Sequence, residues 1–119
     1  MYRNRDESTI AIKLSGSRCV ICGWRKTDSE GNLLVEGGHI KQCKDIGDLD
    51  KKDNIIALCP NHHVEFDRGN LTIDYDRRIC VHIDPGDEFS NKELSGSIAH
   101  IGKGYLDYHR RNIFRGESL

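Results

Sequence analysis

Two short motifs with the same spacing, far apart in the chain, constrain the fold more than any other feature. Cys19 and Cys22 form a C-x-x-C with a glycine directly after it, and Cys59 and His62 form a C-x-x-H. Two pairs of thiolate or imidazole ligands suit a tetrahedral zinc ion. An ion held by both pairs would close a long loop and so reduce the entropy of the unfolded chain. The spacing predicts a structural zinc site, whereas the alternative is buried thiols and a surface histidine.

The composition also favours a metal-stabilised fold. The 119 residues include five Cys and six His, and 36% are hydrophobic while 31% are charged. A domain of this kind buries a modest core and gains from a metal staple. The odd cysteine count argues against a secreted disulfide framework, and no βαβ pattern surrounds the C-x-x-C to suggest a thioredoxin-like redox site. On the usual size prior we expect residues 1–119 to form one domain.

The beginning of the chain and its net charge bear on location and partners. MYRNRDEST is charged and has no apolar run, so we expect neither a signal peptide nor a membrane span, and a reduced, cytoplasmic protein. The net charge of −1 by itself favours a solvated surface of mixed charge over a nucleic-acid interface. Basic residues are concentrated in HRRNIFR and around Arg77 and Arg78, which are the candidates for a nucleic-acid contact.

Short apolar runs predict the strands. Residues 2–8 look like a polar lead-in, and the alternation of Ile10, Ile12 and Leu14 suggests a short strand or a helix end. LLVEGGHI and the apolar run NIIALC are each typical of a strand, and the second is expected to be buried. LTIDYD and RICVHI are rich in β-forming residues and separated by a short turn, so they predict a hairpin.

Helix signals occur in two places. Pro60 marks a helix start, and Gly69 is expected to end that helix. YLDYHRRNIF has the apolar spacing of an amphipathic C-terminal helix. The polar segment KQCKDIGDLDKKD is expected to be a surface loop in which Cys43 is an unremarkable thiol, whereas Cys80 lies within a predicted strand and is expected in the core. The pattern as a whole predicts a small α+β fold.

The adjacent histidines His62 and His63 indicate two different metal sites. Neighbouring residues on a helix point about 100° apart, so the two side chains cannot both serve one ion comfortably. If His62 completes the zinc site, His63 points toward a different place. Asp67, four residues beyond His63, lies on the same helix face as His63. This pair would bind a divalent ion and leave positions open for water and a phosphate oxygen. The alternative for Asp67 is a surface carboxylate paired with Arg68.

These residues resemble the HNH nuclease family, which folds as a ββα-metal (His-Me finger) motif. The resemblance rests on His39 in GGHI, Asn54 in DNIIALC and His63 in NHHVEFDRG, together with the C-x-x-C and C-x-x-H motifs. It covers roughly residues 17 to 115, and the FDRG and YLDYHRRNIF segments are similar to restriction-type, McrA-like HNH domains. It implies a zinc-stapled ββα-metal domain with an additional β-hairpin and a C-terminal helix.

The resemblance also implies a function, namely metal-dependent hydrolysis of DNA phosphodiesters in restriction, or in a phage or mobile element. His39 would be the general base, and Asn54 would hold the loop and strand that aim it, or would help the metal. His63 would bind the catalytic divalent ion, with Asp67 at the position of a second ligand. Mg²⁺ or Mn²⁺ is favoured where oxygen ligands and water dominate.

One position departs from the family pattern. Many relatives carry His or Asp directly before the base histidine, where this chain has Gly38. The catalytic ion would then have only two protein ligands, or Glu36 would help from the same strand face.

Simpler interpretations exist for the same residues. His39 could be a satisfied histidine at a strand end, and Asn54 could merely start a turn. The remaining histidines, His82, His100 and His109, are expected to be structural or surface residues. The rival function is a non-catalytic, zinc-stabilised nucleic-acid-binding module, and a third is a protein-interaction domain. A homodimer and a fusion to a partner domain are both compatible with the sequence.

Overall fold

Two antiparallel strand pairs and three α-helices make up the fold in the computed structural model, which describes residues 5–41 and 50–116. A 3₁₀ turn, Lys52–Asn54, precedes the second strand. In chain order the elements are α1 (Arg5–Leu14), β1 (Glu36–His39), β2 (Ile55–Leu58), α2 (Pro60–Arg68), β3 (Leu71–Asp74), β4 (Ile79–His82) and α3 (Lys103–Asn112).

The β1–β2 hairpin lies between α1 and α2. Its register pairs Gly37 with Ala57 and Gly38 with Ile56. A side chain on Gly37 would meet the Ser8 hydroxyl of α1, whereas a side chain on Gly38 would meet the His63 ring of α2. Both faces of the hairpin are therefore covered. This explains why all four residues of β2 are buried and why NIIALC is a continuous apolar run without polar alternation.

Helix α1 decides between the two interpretations of the N-terminal alternation: the segment is a helix and not a strand. The helix begins at Arg5, within the predicted polar lead-in, and ends at Leu14. Ala11 is fully buried against the hairpin, while Ile10 and Leu14 are 42% and 47% exposed. Three alternating apolar residues fit a strand and a helix almost equally well over so short a run. Ser8 of the helix lies against Gly37 of β1, so the helix packs on the hairpin through its small residues.

Helix α2 has the boundaries that its end residues predict. Cys59 is its N-cap, Pro60 stands in its first turn, and Gly69 ends it with a φ of 81°. Proline has no N–H to leave unsatisfied in a first turn, and glycine adopts the left-handed C-cap conformation without strain. The helix therefore begins directly after β2, which fixes the short connection of the ββα unit.

The predicted second hairpin and C-terminal helix are also present, and His109 joins them to α2. The buried His109 ring of α3 stacks on Phe66 with a centroid separation of 3.8 Å. Its Nε2–H donates to the Phe66 carbonyl at 2.8 Å, and its Nδ1 lies 2.8 Å from the Thr72 hydroxyl of β3. Burial lowers the pKa of His109 to about 4. The imidazole is therefore neutral near pH 7 and has a structural role.

Two cysteines, Cys43 and Cys80, lie outside the paired motifs. Cys80 is 1% exposed on β4, as predicted, and burial raises the pKa of its thiol to about 12. Cys43, with most of the predicted surface loop around it, lies outside the described residues. Among the helices of the described residues, none combines the length and apolar character needed to cross a membrane.

Candidate metal and active sites

The two paired motifs meet in one cluster. The ligand atoms of Cys19, Cys22, Cys59 and His62 all lie within 4.8 Å of one another. The Cys59 and Cys19 sulfurs are 3.3 and 3.7 Å from His62 Nδ1, and the Cys22 and Cys59 sulfurs are 3.9 Å apart. Tetrahedral zinc with Zn–S of about 2.3 Å separates its ligand atoms by roughly 3.5–3.8 Å. The four residues therefore fit a tetrahedral ion closely.

Local backbone geometry builds this cluster. Gly23 has a φ of 77°, and its N–H donates to the Cys19 carbonyl at 2.9 Å, which closes the C-x-x-C turn. The Val20 N–H donates to the Ala57 carbonyl at 2.9 Å, which attaches that turn to β2. The second half of the cluster stands at the start of α2, because Cys59 caps that helix. The cluster thus connects the turn, β2 and α2.

The charge states of the cluster favour a bound cation. Burial raises the pKa values of Cys19, Cys22 and Cys59, and it lowers the pKa of His62. Three thiolates this close together, two of them buried, would be unfavourable without a compensating charge, and a divalent cation supplies it. A neutral imidazole is the form that ligates a metal.

A carboxylate lies behind the histidine of this cluster. Glu65 Oε2 is 3.9 Å from His62 Nε2, the ring nitrogen opposite the sulfurs, and Glu65 Oε1 is 3.0 Å from His82 Nε2. Carboxylates commonly orient ligating histidines from this side. The i, i+3 spacing of Glu65 and His62 could have indicated this relationship, whereas His82 comes from β4 and left no such signal in the sequence.

His39 ends β1 with its ring against Asp50, which follows it by 11 residues in the chain. His39 Nε2 is 2.8 Å from Asp50 Oδ1. The two side chains are only 10% and 5% exposed, so the contact is shielded from water. Sequence reasoning missed Asp50, since nothing in the spacing of an aspartate in a polar loop predicts its contact with a strand end.

Asn54 fixes the chain just beyond His39. Its Oδ1 accepts the Lys41 N–H at 2.9 Å, and its Nδ2 donates to the Lys41 carbonyl at 3.0 Å. Its own carbonyl accepts the Ile40 N–H at 3.0 Å. The residue is completely buried. Of the two roles that the family resemblance implies for Asn54, this geometry suits holding the loop and strand.

His63 bridges two carboxylates with its two ring nitrogens. Its Nε2 is 3.3 Å from Asp67 Oδ2, and its Nδ1 is 2.8 Å from Glu36 Oε1. Glu36 therefore lies on the side of the ring opposite Asp67. Within the described residues, one group brings three or more possible metal ligands together, namely Cys19, Cys22, Cys59 and His62. The predicted site of the catalytic ion therefore offers two protein ligands, His63 and Asp67.

Gly38 places this pair beside His39. A Cβ on Gly38 would lie 2.7 Å from His63 Nε2. The imidazole thus occupies the space above β1 that a larger residue before His39 would fill. Because Gly38 directly precedes His39, the His63–Asp67 pair lies next to the end of β1 that carries the predicted base.

The two predicted basic segments are brought together on the surface. Arg77 and Arg110 both approach the Asp74 carboxylate, at 3.9 and 3.8 Å. Lys41, held by Asn54, places its Nζ 4.7 Å from the centre of the Tyr108 ring on α3. Positive charge from the segment after His39 therefore lies against the C-terminal helix.

A strand pair followed at once by a helix, with a histidine ending the first strand and H-x-x-x-D on the helix, defines a ββα-metal domain. Comparisons with known proteins agree, since residues 19–74 match the family model of HNH endonucleases. The segment that carries the cysteine cluster, His39 and His63 is therefore similar to HNH endonucleases. These findings confirm the predicted family resemblance, fold class and enzyme class.

The structure is also similar to a solved one, described as "Modification dependent TagI restriction endonuclease". The match covers 98% of this chain with a TM-score of 0.76 and 28% sequence identity. It covers 40% of the other protein, so this chain spans less than half of that protein's length. No curated protein matches the sequence.

Proposed function

We propose that residues 1–119 form a single nuclease domain that hydrolyses DNA phosphodiester bonds with the help of a divalent ion. One observation carries the proposal: the His63 ring of α2, which contacts Asp67, lies against Gly38, the residue directly before His39 at the end of β1. A base next to a metal-ligand pair is the arrangement that metal-assisted hydrolysis needs. A non-catalytic binding module would have no use for it.

Zinc is the ion proposed for the cysteine cluster. Three sulfurs and one nitrogen at near-tetrahedral separations suit it better than Mg²⁺ or Ca²⁺, which prefer oxygen ligands. With every position filled by a protein ligand, the site is closed and its role is structural. It would join the turn at Cys19 and Cys22 to the start of α2.

A second, exchangeable ion is proposed at His63 and Asp67. The 3.3 Å between His63 Nε2 and Asp67 Oδ2 fits two neighbouring ligands of an octahedral ion, which are about 3 Å apart. The hydrogen bond to Glu36 favours a proton on His63 Nδ1 and leaves the Nε2 lone pair for the ion. Mg²⁺ or Mn²⁺ is favoured, with water and phosphate oxygens as the other ligands. Such an ion, when bound, polarises the scissile phosphate and stabilises the charge on the leaving 3′ oxygen.

His39 supplies the base in the proposed mechanism. As the oxygen of a water molecule attacks phosphorus, its proton passes to the neutral imidazole of His39. The bond from phosphorus to the 3′ oxygen breaks, and the leaving oxygen takes a proton from a solvent water molecule, so that the products are a 5′ phosphate and a 3′ hydroxyl. Asn54 keeps the base in place because it ties Lys41 through both backbone groups. Lys41 and the basic residues of α3 would contact the DNA backbone, which positions the substrate without reading its sequence.

The similarity to a modification-dependent restriction endonuclease supports a defence role, while a phage or mobile-element role fits the same site. We propose that this chain supplies the cleaving part of such an activity, in the cytoplasm. Recognition of a modified base would then belong to a partner domain or a second subunit.

The direct test is nicking of supercoiled plasmid by zinc-loaded protein with Mg²⁺ or Mn²⁺ added or withheld. Open-circular product should appear only with the added ion and should be lost in a His63→Ala, Asp67→Asn double variant. DNA retention in a gel shift, with no nicking under any added ion, would instead support the non-catalytic binding module.

A pair of glycine substitutions tests the position of His63. Gly38→Ala should slow nicking by about tenfold or more and weaken Mn²⁺ binding, because the new methyl group displaces the His63 ring from Asp67. Gly37→Ala adds the same methyl group to the opposite face, against Ser8, so it should lower the melting temperature without a matching change in Mn²⁺ affinity. Equal Mn²⁺ affinities in the two variants would contradict the assignment of His63.

A further inference from the structure

Two histidines beside the proposed reaction centre each hydrogen-bond a carboxylate, but through different ring nitrogens. His63 uses Nδ1 for Glu36, whereas His39 uses Nε2 for Asp50. A neutral imidazole carries one proton, and the nitrogen that donates to a carboxylate is the one that holds it. The two carboxylates therefore select opposite tautomers of the two rings.

We propose that Asp50 is the positioning residue of the general base: it holds His39 in the Nε2–H tautomer and orients its ring, which leaves the Nδ1 lone pair for the proton of the attacking water. The inference rests on the proposed function of His39. No motif or comparison assigns Asp50 a role.

The geometry supports orientation by Asp50. The 2.8 Å separation is that of a strong, charge-assisted hydrogen bond, and Asp50 is 5% exposed, so water competes weakly for the carboxylate. His39 stands at the end of β1, where strand pairing with Ile55 fixes its backbone. The contact of its Nε2 with Asp50 fixes the direction of the ring.

The proton of the attacking water goes to His39, and no proton is transferred to Asp50. The O–H bond of water breaks and its proton binds Nδ1, while the hydrogen on Nε2 stays in place. The ring is then an imidazolium, and its positive charge is stabilised by the buried Asp50 carboxylate. Asp50 thus has one role before the reaction, orientation of the ring, and another as charge develops on it.

Asp50 and Asn54 have complementary roles in this arrangement. Asn54 binds the backbone of Lys41, two residues after His39, and so sets where the strand end lies. Asp50 binds the ring itself. Both come from the segment that returns toward β2, so this returning segment of the chain fixes the base.

The test combines kinetics with a spectroscopic measurement on the full chain. Asp50→Asn should lower kcat for plasmid nicking by about 10²-fold or more with little change in KM, because Asp50 does not contact DNA. The exposed Asp76→Asn, which removes the same charge from a pair with Lys103, is the matched control and should nick at the wild-type rate. Zinc content should be unchanged in both variants.

The tautomer of His39 is read from long-range ¹H–¹⁵N NMR correlations. The wild type should show His39 protonated at Nε2, and Asp50→Asn should raise the share of the Nδ1–H form. In a His39→Ala background, Asp50→Asn should cost little further activity, since the two residues act as one unit.

Three outcomes would overturn the inference. They are an Nδ1–H tautomer of His39 in the wild type, an unchanged tautomer in Asp50→Asn, and a loss of nicking on Asp50→Asn that is equally large in the wild-type and His39→Ala backgrounds. The wild-type spectrum decides the matter even if Asp50→Asn fails to fold. If the wild type nicks under no condition, the proposed nuclease function fails, and the same spectrum still tests the contact between Asp50 and His39.

Discussion

Replacing His39 with alanine is expected to slow plasmid nicking by about 10³-fold, within the range that a positioned general base contributes. The variant removes the proton acceptor but leaves the His63–Asp67 pair and the zinc cluster in place. Zinc content and Mn²⁺ affinity should therefore match the wild type. The free energy of unfolding should change little beyond the loss of the contact with Asp50. The measurement is the initial rate of open-circle formation at saturating plasmid and Mg²⁺ or Mn²⁺.

His100→Gln is the matched control for this substitution. His100 is also a partly buried histidine near the β1–β2 hairpin, where its Nε2 lies 3.1 Å from the Ile55 carbonyl. It has no role in the proposed chemistry, so its loss should leave the nicking rate within a few-fold of the wild type. If His39→Ala and His100→Gln nick equally fast, His39 is not the base, and the water must lose its proton to another group.

The parts of the site that could be predicted from the sequence are those set by local spacing. The paired x-x spacings bring two ligands to one side of a turn or a helix start, and the i, i+4 spacing brings His63 and Asp67 to one face of α2. The limits of α2 follow from Pro60 and Gly69 in the same way. In each case the geometry depends on neighbours in the chain.

The contacts that escaped prediction depend on tertiary structure. Asp50 contacts the His39 ring from 11 residues further along the chain, and Glu36 of β1 contacts His63 of α2. Gly38 looked like a missing ligand, yet the structure gives it a role because the His63 ring lies against it. The secondary structure of residues 5–14 could not be predicted for a related reason. Their few apolar residues fit both a helical and a strand period, and the packing of α1 against Gly37 decides for the helix.

Loss of zinc is expected to remove both the fold and the activity. This effect is larger than that of His39→Ala, which should remove the activity and leave the fold in place. Structural zinc sites contribute about 10–16 kcal/mol of apparent binding free energy in small peptides, whereas a typical domain is stable by about 5–15 kcal/mol. Purified protein should therefore contain about one tightly held zinc per chain, and strong chelators should unfold it. Metal analysis and circular dichroism before and after chelation measure this directly.

Two cysteine substitutions separate the contribution of zinc from that of packing. Cys80 is buried in β4 to a greater degree than Cys22, so packing alone predicts that Cys80→Ala is the more damaging change. We expect the reverse. Cys80→Ala should cost about 1 kcal/mol and keep its zinc, whereas Cys22→Ala should lose tight zinc binding and most tertiary structure. A more stable, zinc-loaded Cys22→Ala would contradict the structural site.

Activity should follow zinc even though no zinc ligand belongs to the proposed reaction centre. His62 and His63 are consecutive residues in the first turns of α2, and Cys59 caps that helix. Zinc bound to Cys59 and His62 would fix the helix start, and through it the direction of the His63 ring toward Gly38 and Asp67. Without zinc, His39 and Asp67 would remain in the sequence, but the His63–Asp67 pair proposed to bind the second ion would lose its alignment with β1. A folded, zinc-free protein that nicks DNA at the wild-type rate would show that the two sites are independent.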